Sequence, residues 1–311
     1  MKVIDLGRMG YQDAWDIQLE VHEDVMAGRE DVLLFVEHDP VLTLGANFHE
    51  ENLLLTPEQY KERGIDVIRT DRGGDVTYHG PGQLVIYPIF NVANHGKDLH
   101  KWMRDLEETM ILTCASLGIE AHRKPDVNTG AWVGNNKIAA IGVKVRKWVN
   151  LHGIALNIDP DLSAFQLINP CGIVTHGVTS VVRESEERDP PGSLQTRVCE
   201  AFSQVFGAPR SHSIGLLYDG PLDDSVILYE GENGFDSHRN FSYLLRWLLN
   251  RPQSEIDYYE VFADEPVAPW LHEYFAPIYR AQKRQPTWPK PVPGSSVDLS
   301  PTRPFPKVPG S

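Results

Sequence analysis

The sequence is poor in cysteine, in long apolar runs and in positive charge. Its 311 residues contain three cysteines, Cys114, Cys171 and Cys199, and no CxxC spacing, which excludes a disulfide-stapled fold and a cysteine-rich zinc site. No apolar run approaches the roughly 18 residues that a transmembrane helix needs. The net charge of −14 argues against broad affinity for nucleic acid or anionic membranes, since both depend on clustered cations.

The composition that remains is that of a globular protein. An apolar fraction of 41% is enough to build the core of one large domain or of two ordinary ones. The chain begins with a strand-like and then a helix-like pattern where a secretory signal would have a short apolar run. We therefore expect a cytoplasmic protein with reduced thiols.

Helix-like and strand-like patterns alternate over the first two thirds of the chain. Apolar residues at helical spacing predict helices over 11–28, 99–118 and 193–207, and these place Cys114 and Cys199 in the core. Short apolar runs between turn residues predict strands at 31–38, 41–45, 65–70 and 83–92, and three further strands across 130–158. We expect those three strands to be divided at Asn135-Asn136, where a hairpin is plausible, and at Val149-Asn150.

The last third of the chain has a different texture. Prolines concentrate between Pro252 and Pro309, and the final stretch has too few apolar residues to pack by itself. NFSYLLRWLLN at 240–250 predicts one short helix, and the end of the chain is expected to be extended or disordered. We therefore expect a domain over 1–208 and an extension over 209–311 to which the sequence assigns no role.

The stretch RGGDVTYHGPG at 72–82 is unusually rich in glycine. Glycine permits close approach of the backbone, so this loop could wrap a ligand with Arg72 and His79 as polar contacts. The alternative is an ordinary hairpin with a Gly-Pro-Gly turn, and the stretch by itself does not decide between the two. It matches neither the GxGxxG nor the GxxxxGK[ST] pattern, so no nucleotide phosphate is expected there.

A second stretch, INPCGI at 168–173, favours a reactive thiol. Proline before and glycine after Cys171 would present the thiol on a tight turn, whereas most free cysteines are small buried hydrophobes. A nucleophilic thiol needs a cation or a base beside it, because an ordinary thiol has a pKa of about 8.5. Lys137, which has the most apolar neighbours in sequence of any lysine, is the candidate cation. His79, His152 and His176 are rival partners, and sequence distance does not choose among them.

Three ordered motifs resemble the lipoyl(octanoyl) transferase family. They are RGGDVTYHGPGQLVIYP, GAWVGNNKIAAIGVKVRKWVNLHGIALNI and INPCGI, and EHDPVLTLG resembles the family's early strand pair. The resemblance covers about residues 1–208. It implies the α/β fold of biotin and lipoate protein ligases, a mixed sheet flanked by helices, and an acyltransferase without cofactor or metal. The implied donor is octanoyl-acyl carrier protein. The implied acceptors are lysines on the lipoyl domains of 2-oxoacid dehydrogenase complexes and on the glycine cleavage H protein, in the first step of endogenous protein lipoylation.

The resemblance also implies roles for individual residues. Cys171 would form an acyl-thioester, and Lys137 would lower the pKa of Cys171 and later accept a proton from the attacking amine. Backbone N–H groups near Cys171 and Gly172 could hold the oxyanion. The residues expected against the acyl group are Arg72, Gly73, Gly74, Asp75, Val76, Thr77, Tyr78, His79, Ala140, Ile141, Gly142, Gly153, Ile154 and Ala155.

Three other functions are compatible with parts of the pattern. An ATP-dependent lipoate or biotin ligase would share the fold but has no use for Cys171, a cysteine hydrolase would pass the acyl group to water, and a binding module would not need Cys171 or Lys137. Acyl carrier protein is itself acidic, and a partner with a net charge of −14 would repel it. We therefore hypothesise a local basic dock at HRK (122–124) and KVRK (144–147).

Overall fold

The structure is a computed structural model that describes residues 1–169, 176–185, 193–207, 212–219, 225–230 and 258–262. Contacts divide the chain into two units. The first contains Met1 and residues 9–210, and the second contains residues 2–8 and 211–311. Within the described ranges, no helix has the length and apolar character to cross a bilayer.

Helices and strands alternate along the chain. The helices are α1 Tyr11–Met26, α2 Pro57–Lys61, α3 Leu99–Ser116, α4 Val181–Glu184 and α5 Ser193–Phe206. The strands are β1 Lys2–Met9, β2 Val32–His38, β3 Val41–Leu44, β4 Asp66–Arg69, β5 Val76–His79, β6 Gln83–Ile89, β7 Gly130–Val133, β8 Asn136–Arg146, β9 Val149–Asn157, β10 Gly177–Val178, β11 His212–Asp219, β12 Ser225–Glu230 and β13 Tyr258–Phe262.

The main sheet of the first unit is mixed. Strands β2, β6, β9 and β8 are antiparallel neighbours in that order, β7 is antiparallel to β8, and β10 is parallel to β8. Strands β6 and β9 are buried along their whole length, as expected for strands that are covered on both faces. Helix α1 packs on β6 and β9, and α3 packs against α5. The predicted α/β fold, a mixed sheet flanked by helices, is confirmed.

A smaller sheet in the first unit carries the glycine-rich stretch. Strand β3 is parallel to β4 and antiparallel to β5, and the loop that joins β4 to β5 contains Arg72, Gly73 and Gly74. The Gly-Pro-Gly turn at 80–82 leads from β5 in this sheet to β6 in the main sheet. The hairpin interpretation of that turn is therefore wrong.

The second unit contains strands as well. Strand β1 is parallel to β11, β11 is antiparallel to β12, and β12 is parallel to β13. The predicted helix at 240–250 and the proline-rich end lie outside the described residues. The division of the chain at residue 208 stays a prediction.

The three predicted helices of the first unit are confirmed, and each is followed by a glycine with positive φ: Gly28, Gly118 or Gly207. Cys114 and Cys199 are buried as expected, and burial raises the pKa of the Cys114 thiol to about 12. The hairpin between β7 and β8 is also confirmed, although the positive φ falls on Gly134. The division expected at Val149-Asn150 is wrong, because the turn between β8 and β9 lies at Lys147-Trp148.

Candidate active site

One cleft of the first unit brings together residues from the glycine-rich loop and from the strands of both sheets. Its solvent-accessible interior measures about 110 Å³. It is lined by Tyr11, Arg72, Gly73, Gly74, Asp75, Val76, Thr77, His79, Gln83, Val85, Tyr87, Asn128, Trp132, Lys137, Ala140, Ile141, Gly142, His152, Gly153, Ile154, Ala155, Asn157, Phe165, His176, Gly177 and Val178.

Every residue expected against the acyl group lines this cleft except Tyr78. Side chains alternate between the two faces of a strand, so Tyr78 points away from Thr77 and His79. Its ring packs edge-on against Phe165 with 5.7 Å between centroids, in the core beneath the small sheet. The expectation that Tyr78 contacts the acyl group therefore finds no support in the geometry.

Arg72 braces the glycine-rich loop from inside. Its guanidinium is buried, and it donates to Thr43 Oγ1 at 3.0 Å, to the Thr43 carbonyl at 2.6 Å and to the Asp75 carbonyl at 2.8 Å. The Asp75 carboxylate accepts from Asn52 Nδ2 at 2.6 Å and from the Val76 N–H at 2.8 Å. The loop is thus held in one conformation before any ligand arrives, which avoids the entropy of ordering it on binding.

Two glycines let this loop lie directly on the main sheet. The Gly73 N–H donates to the Val143 carbonyl at 2.9 Å, and a Cβ on Gly142 would lie 2.8 Å from the Gly73 oxygen. A Cβ on Gly153 would lie 2.1 Å from the Ile86 oxygen of the neighbouring strand. The glycines therefore allow the loop and the strands to pack closely, and they leave main-chain atoms to form one wall of the cleft.

Lys137 lies in the cleft near the start of β8 and beside an aromatic ring. Its ammonium donates to the Thr129 carbonyl at 3.3 Å and lies 4.8 Å from the centroid of the Trp132 ring. The His176 ring contacts the same Trp132 edge-on at 5.6 Å. Cys171, together with its neighbours Pro170 and Gly172, lies outside the described residues, so its nucleophilic role stays a prediction.

Two of the three rival histidines have both ring nitrogens hydrogen-bonded. His79 Nδ1 lies 2.7 Å from Gln83 Oε1 and Nε2 lies 3.4 Å from Thr43 Oγ1. Burial lowers the pKa of His79 to about 3, and the nearby His38 adds to the effect. The Nε2 atom of His152 lies 2.7 Å from Asp71 Oδ1 and its Nδ1 lies 3.2 Å from the Tyr11 hydroxyl. Burial also lowers the pKa of His152. Both imidazoles are therefore neutral at pH 7.

The two basic stretches differ in what surrounds them. Arg123 forms ion pairs with Glu107 and Glu108, so the stretch at 122–124 is largely neutralised and does not fit the hypothesised dock. Lys144, Arg146 and Lys147 are exposed on the β8–β9 hairpin. The hypothesis is therefore retained for the hairpin only.

Several lining residues escaped the sequence analysis. Trp132 lies within a quoted motif but carried no assigned role. Gln83 begins β6, Asn157 ends β9, and the two residues pair with each other across these apolar strands. A polar residue within an otherwise buried strand has to find a hydrogen-bond partner, which is the signal that could have singled out Gln83 and Asn157.

Comparisons with known proteins place the chain in a family and identify solved structures that share its fold. A family model described as the lipoyl protein ligase A/B catalytic domain matches residues 10–203. A curated octanoyltransferase from Citrifermentans bemidjiense is 46% identical over 202 residues, which are 65% of this chain and 95% of that relative. A putative lipoate protein ligase from T. acidophilum, solved with bound lipoic acid, shares the fold at a TM-score of 0.58 and 19% identity, over 69% of this chain and 88% of that one. The crystal structure of lipoate-protein ligase A bound with ATP shares the fold at a TM-score of 0.59 and 17% identity, over 80% of this chain and 94% of that one.

The chain belongs to the lipoyl protein ligase A/B catalytic domain family. Its curated relatives are octanoyltransferases, so the protein is an acyltransferase of protein lipoylation. The family resemblance stated from the three motifs is confirmed.

Proposed function

We propose that this acyltransferase moves an octanoyl group from octanoyl-acyl carrier protein, through a thioester on Cys171, to the side-chain amine of a lysine on a lipoyl domain. The acceptors are lipoyl domains of 2-oxoacid dehydrogenase complexes and the glycine cleavage H protein, in the first step of endogenous lipoylation. The main support is the cleft, in which Lys137 shares one cavity with the backbone of the glycine-rich loop and of β8 and β9.

The first half of the proposed reaction exchanges one thioester for another. The Cys171 thiolate attacks the carbonyl carbon of the donor, a C–S bond to Cys171 forms, and the C–S bond to the carrier breaks. The carrier sulfur takes a proton from the Lys137 ammonium and leaves as a thiol, so Lys137 is left as a neutral amine. This exchange is close to balanced, so it needs no ATP. The Lys137 ammonium contributes by favouring the thiolate, because a nearby cation lowers the pKa of a thiol.

The second half forms an amide. The target lysine, as a neutral amine, attacks the carbonyl carbon of the octanoyl-Cys171 thioester, a C–N bond forms, and the C–S bond to Cys171 breaks. The amine proton passes to Lys137 acting as general base, and the thiolate is regenerated. His79 and His152 are neutral and hydrogen-bonded through both ring nitrogens, so this scheme gives neither of them a proton transfer.

The cleft wall also suits an alkyl chain. The lining residues include the apolar Val76, Val85, Ile141, Ile154 and Phe165. Burial of an eight-carbon chain contributes on the order of 5 kcal/mol at about 0.8 kcal/mol for each methylene. This energy is available to select octanoyl groups over shorter ones.

The test is transfer without ATP. Incubated with octanoyl-acyl carrier protein alone, the full chain should gain one octanoyl group by intact mass, and peptide mapping should place it on Cys171. The Cys171→Ala variant should gain none, whereas Cys114→Ala and Cys199→Ala, which change buried helical cysteines, should keep the adduct. Addition of a lipoyl domain should then remove the adduct and octanoylate the domain. A requirement for ATP would indicate a ligase, and release of free octanoate with the lipoyl domain present would indicate a hydrolase.

A further inference from the structure

A continuous series of buried hydrogen bonds links the glycine-rich loop to the strand that carries Lys137. Arg72 bonds to Thr43, Thr43 to His79 at 3.4 Å, and His79 to Gln83 at 2.7 Å. From there, Gln83 Nε2 donates to Asn157 Oδ1 at 2.9 Å, Asn157 Nδ2 donates to the Thr179 carbonyl at 3.0 Å, and the Thr179 N–H donates to the Lys137 carbonyl at 3.0 Å. The side chains of the series come from the β4–β5 loop and from β3, β5, β6 and β9.

The Thr179 carbonyl fixes which partner donates in each side-chain hydrogen bond from Asn157 back to Thr43. A carbonyl oxygen only accepts, so Asn157 must turn its amide nitrogen to Thr179 and its oxygen to Gln83. Gln83 then donates with its nitrogen and accepts with its oxygen, which requires the proton of His79 to be on Nδ1. His79 Nε2 is left as an acceptor, and the Thr43 hydroxyl donates to it. The neutral state of His79 is therefore part of this arrangement.

The Asn157 side chain links β9, in which it lies, to β6 through Gln83 and to the end of β10 through Thr179. Asn157 is the last residue of β9 and is 4% exposed. Strand β10 is two residues long and pairs with β8 at Asn136 and Lys137. So short a strand has little pairing of its own to keep it in register. The Asn157 side chain supplies an additional tie, from β9 to the residue that follows β10.

We propose that Asn157 is a positioning residue that holds the Lys137 segment of β8 at a fixed place relative to the acyl-binding wall. The inference rests on the proposed catalytic role of Lys137. A buried polar network is costly unless all of its members are satisfied, and here every side-chain link from Arg72 to Thr179 has its partner. An apolar residue would fill the same space without tying the wall to Lys137.

The chain offers a matched control in Asn150, near the other end of β9. Asn150 is also fully buried, accepts from Trp102 Nε1 at 3.1 Å, and donates to the Pro88 carbonyl at 2.8 Å. It does not line the cleft. Asn157→Ala removes two buried side-chain hydrogen bonds from β9, and Asn150→Ala removes three, since Asn150 also donates to the His152 carbonyl at 3.2 Å. Both should lower the thermal midpoint, but their effects on catalysis should differ.

The experiment measures steady-state octanoyl transfer by both alanine variants at a temperature where each is folded by circular dichroism. Asn157→Ala should lower kcat about 10- to 100-fold with little change in KM, as expected when a catalytic group is displaced by about an ångström. Asn150→Ala should stay within about twofold of the parent. Equal losses for the two variants, or an unchanged kcat for Asn157→Ala, would overturn the proposal.

A double-mutant cycle separates this inference from the function on which it rests. If Asn157 acts through Lys137, Asn157→Ala should have little further effect on the residual rate of Lys137→Ala, whereas Asn150→Ala should be additive. Full activity of Lys137→Ala would refute the proposed role of Lys137. A large loss for Lys137→Ala with additive behaviour of Asn157→Ala would refute only the positioning role.

Discussion

At the scale of single residues, two lysines beside the Trp132 ring provide a direct test of whether Lys137 is the catalytic base. Lys137 and Lys124 place their ammonium groups 4.8 Å and 5.7 Å from the centroid of the Trp132 ring, but only Lys137 is among the lining residues of the cleft. Lys137→Ala should lower kcat by about 10²- to 10⁴-fold, the range for loss of a general acid or base. Lys124→Ala should stay within about twofold. Comparable activity of the two variants in the transfer assay would exclude Lys137 as the catalytic base.

The neutral state of His79 predicts how stability depends on pH. Its pKa falls from 6.5 to about 3 on folding, so the unfolded chain binds a proton that the folded protein does not. Stability conferred by neutral His79 is therefore lost as the pH falls below 6.5. From pH 6.5 to pH 5 the loss should be about 2 kcal/mol, since each unit of pH corresponds to about 1.4 kcal/mol.

Urea unfolding at pH 6.5 and pH 5.0 measures this effect. The free energy of unfolding of His79→Gln should fall less between the two values than that of the parent, by about the same 2 kcal/mol. His38 is buried as well, and its pKa is lowered to about 4, so it adds a pH dependence that the parent and His79→Gln share. Identical pH dependence of the parent and His79→Gln would contradict the neutral, buried assignment.

At the scale of elements, the β8–β9 hairpin has an unusual turn. Its two central residues, Lys147 and Trp148, have φ of 51° and 65°, a conformation that favours Asn-Gly and disfavours large side chains. Trp148 is 37% exposed, and the ammonium of Lys97 lies 5.2 Å from the centroid of its ring. Together with the exposed Lys144 and Arg146, the turn presents a basic and aromatic surface, which suits an acidic partner such as acyl carrier protein.

Substitutions in this turn should change the stability of the protein and its binding of octanoyl-acyl carrier protein in opposite directions. The double variant Lys147→Asn, Trp148→Gly should raise the free energy of unfolding by about 1–2 kcal/mol, because it relieves left-handed strain. Its KM for octanoyl-acyl carrier protein should nevertheless rise. Substitution of Lys144, Arg146 and Lys147 by Glu should raise the KM further and reverse its dependence on salt, because salt then screens repulsion instead of attraction. If both variants keep the parent KM, the hairpin is not the dock.

At the scale of the whole molecule, the match to the family model ends at residue 203, before the last third of the chain. The octanoyltransferase from Citrifermentans bemidjiense aligns over 95% of its own length but over 65% of this chain. A chain of residues 1–208 should therefore keep its kcat within a few-fold. It should be less soluble, because the truncation removes β11, the parallel partner of β1, and leaves that edge of β1 unpaired. A folded but inactive truncation would show that the extension takes part in transfer.

Much of the local structure was predictable from the sequence. Helices α1, α3 and α5 followed from apolar spacing and a glycine beyond each end, and the β7–β8 hairpin followed from its turn residues. The Val149-Asn150 boundary was wrong, because Lys147 and Trp148 occupy positive φ where the sequence offers no glycine. Three motifs identified the family and about half of the residues that line the cleft, and all but one of the residues expected against the acyl group line it. The exception, Tyr78, depends on which face of β5 is turned to the core.

The sequence by itself determined the periodic elements, the glycine-rich stretch and the candidate chemical groups, because these depend on residues close together along the chain. Tertiary structure alone decided that Arg123 is neutralised by Glu107 and Glu108, that His79 is neutral, and that Asn157 links Gln83 to Thr179. Burial and hydrogen-bond partners determine these properties. The partners of Asn157 are 74 and 22 residues away, and only the pairing of the strands brings them together.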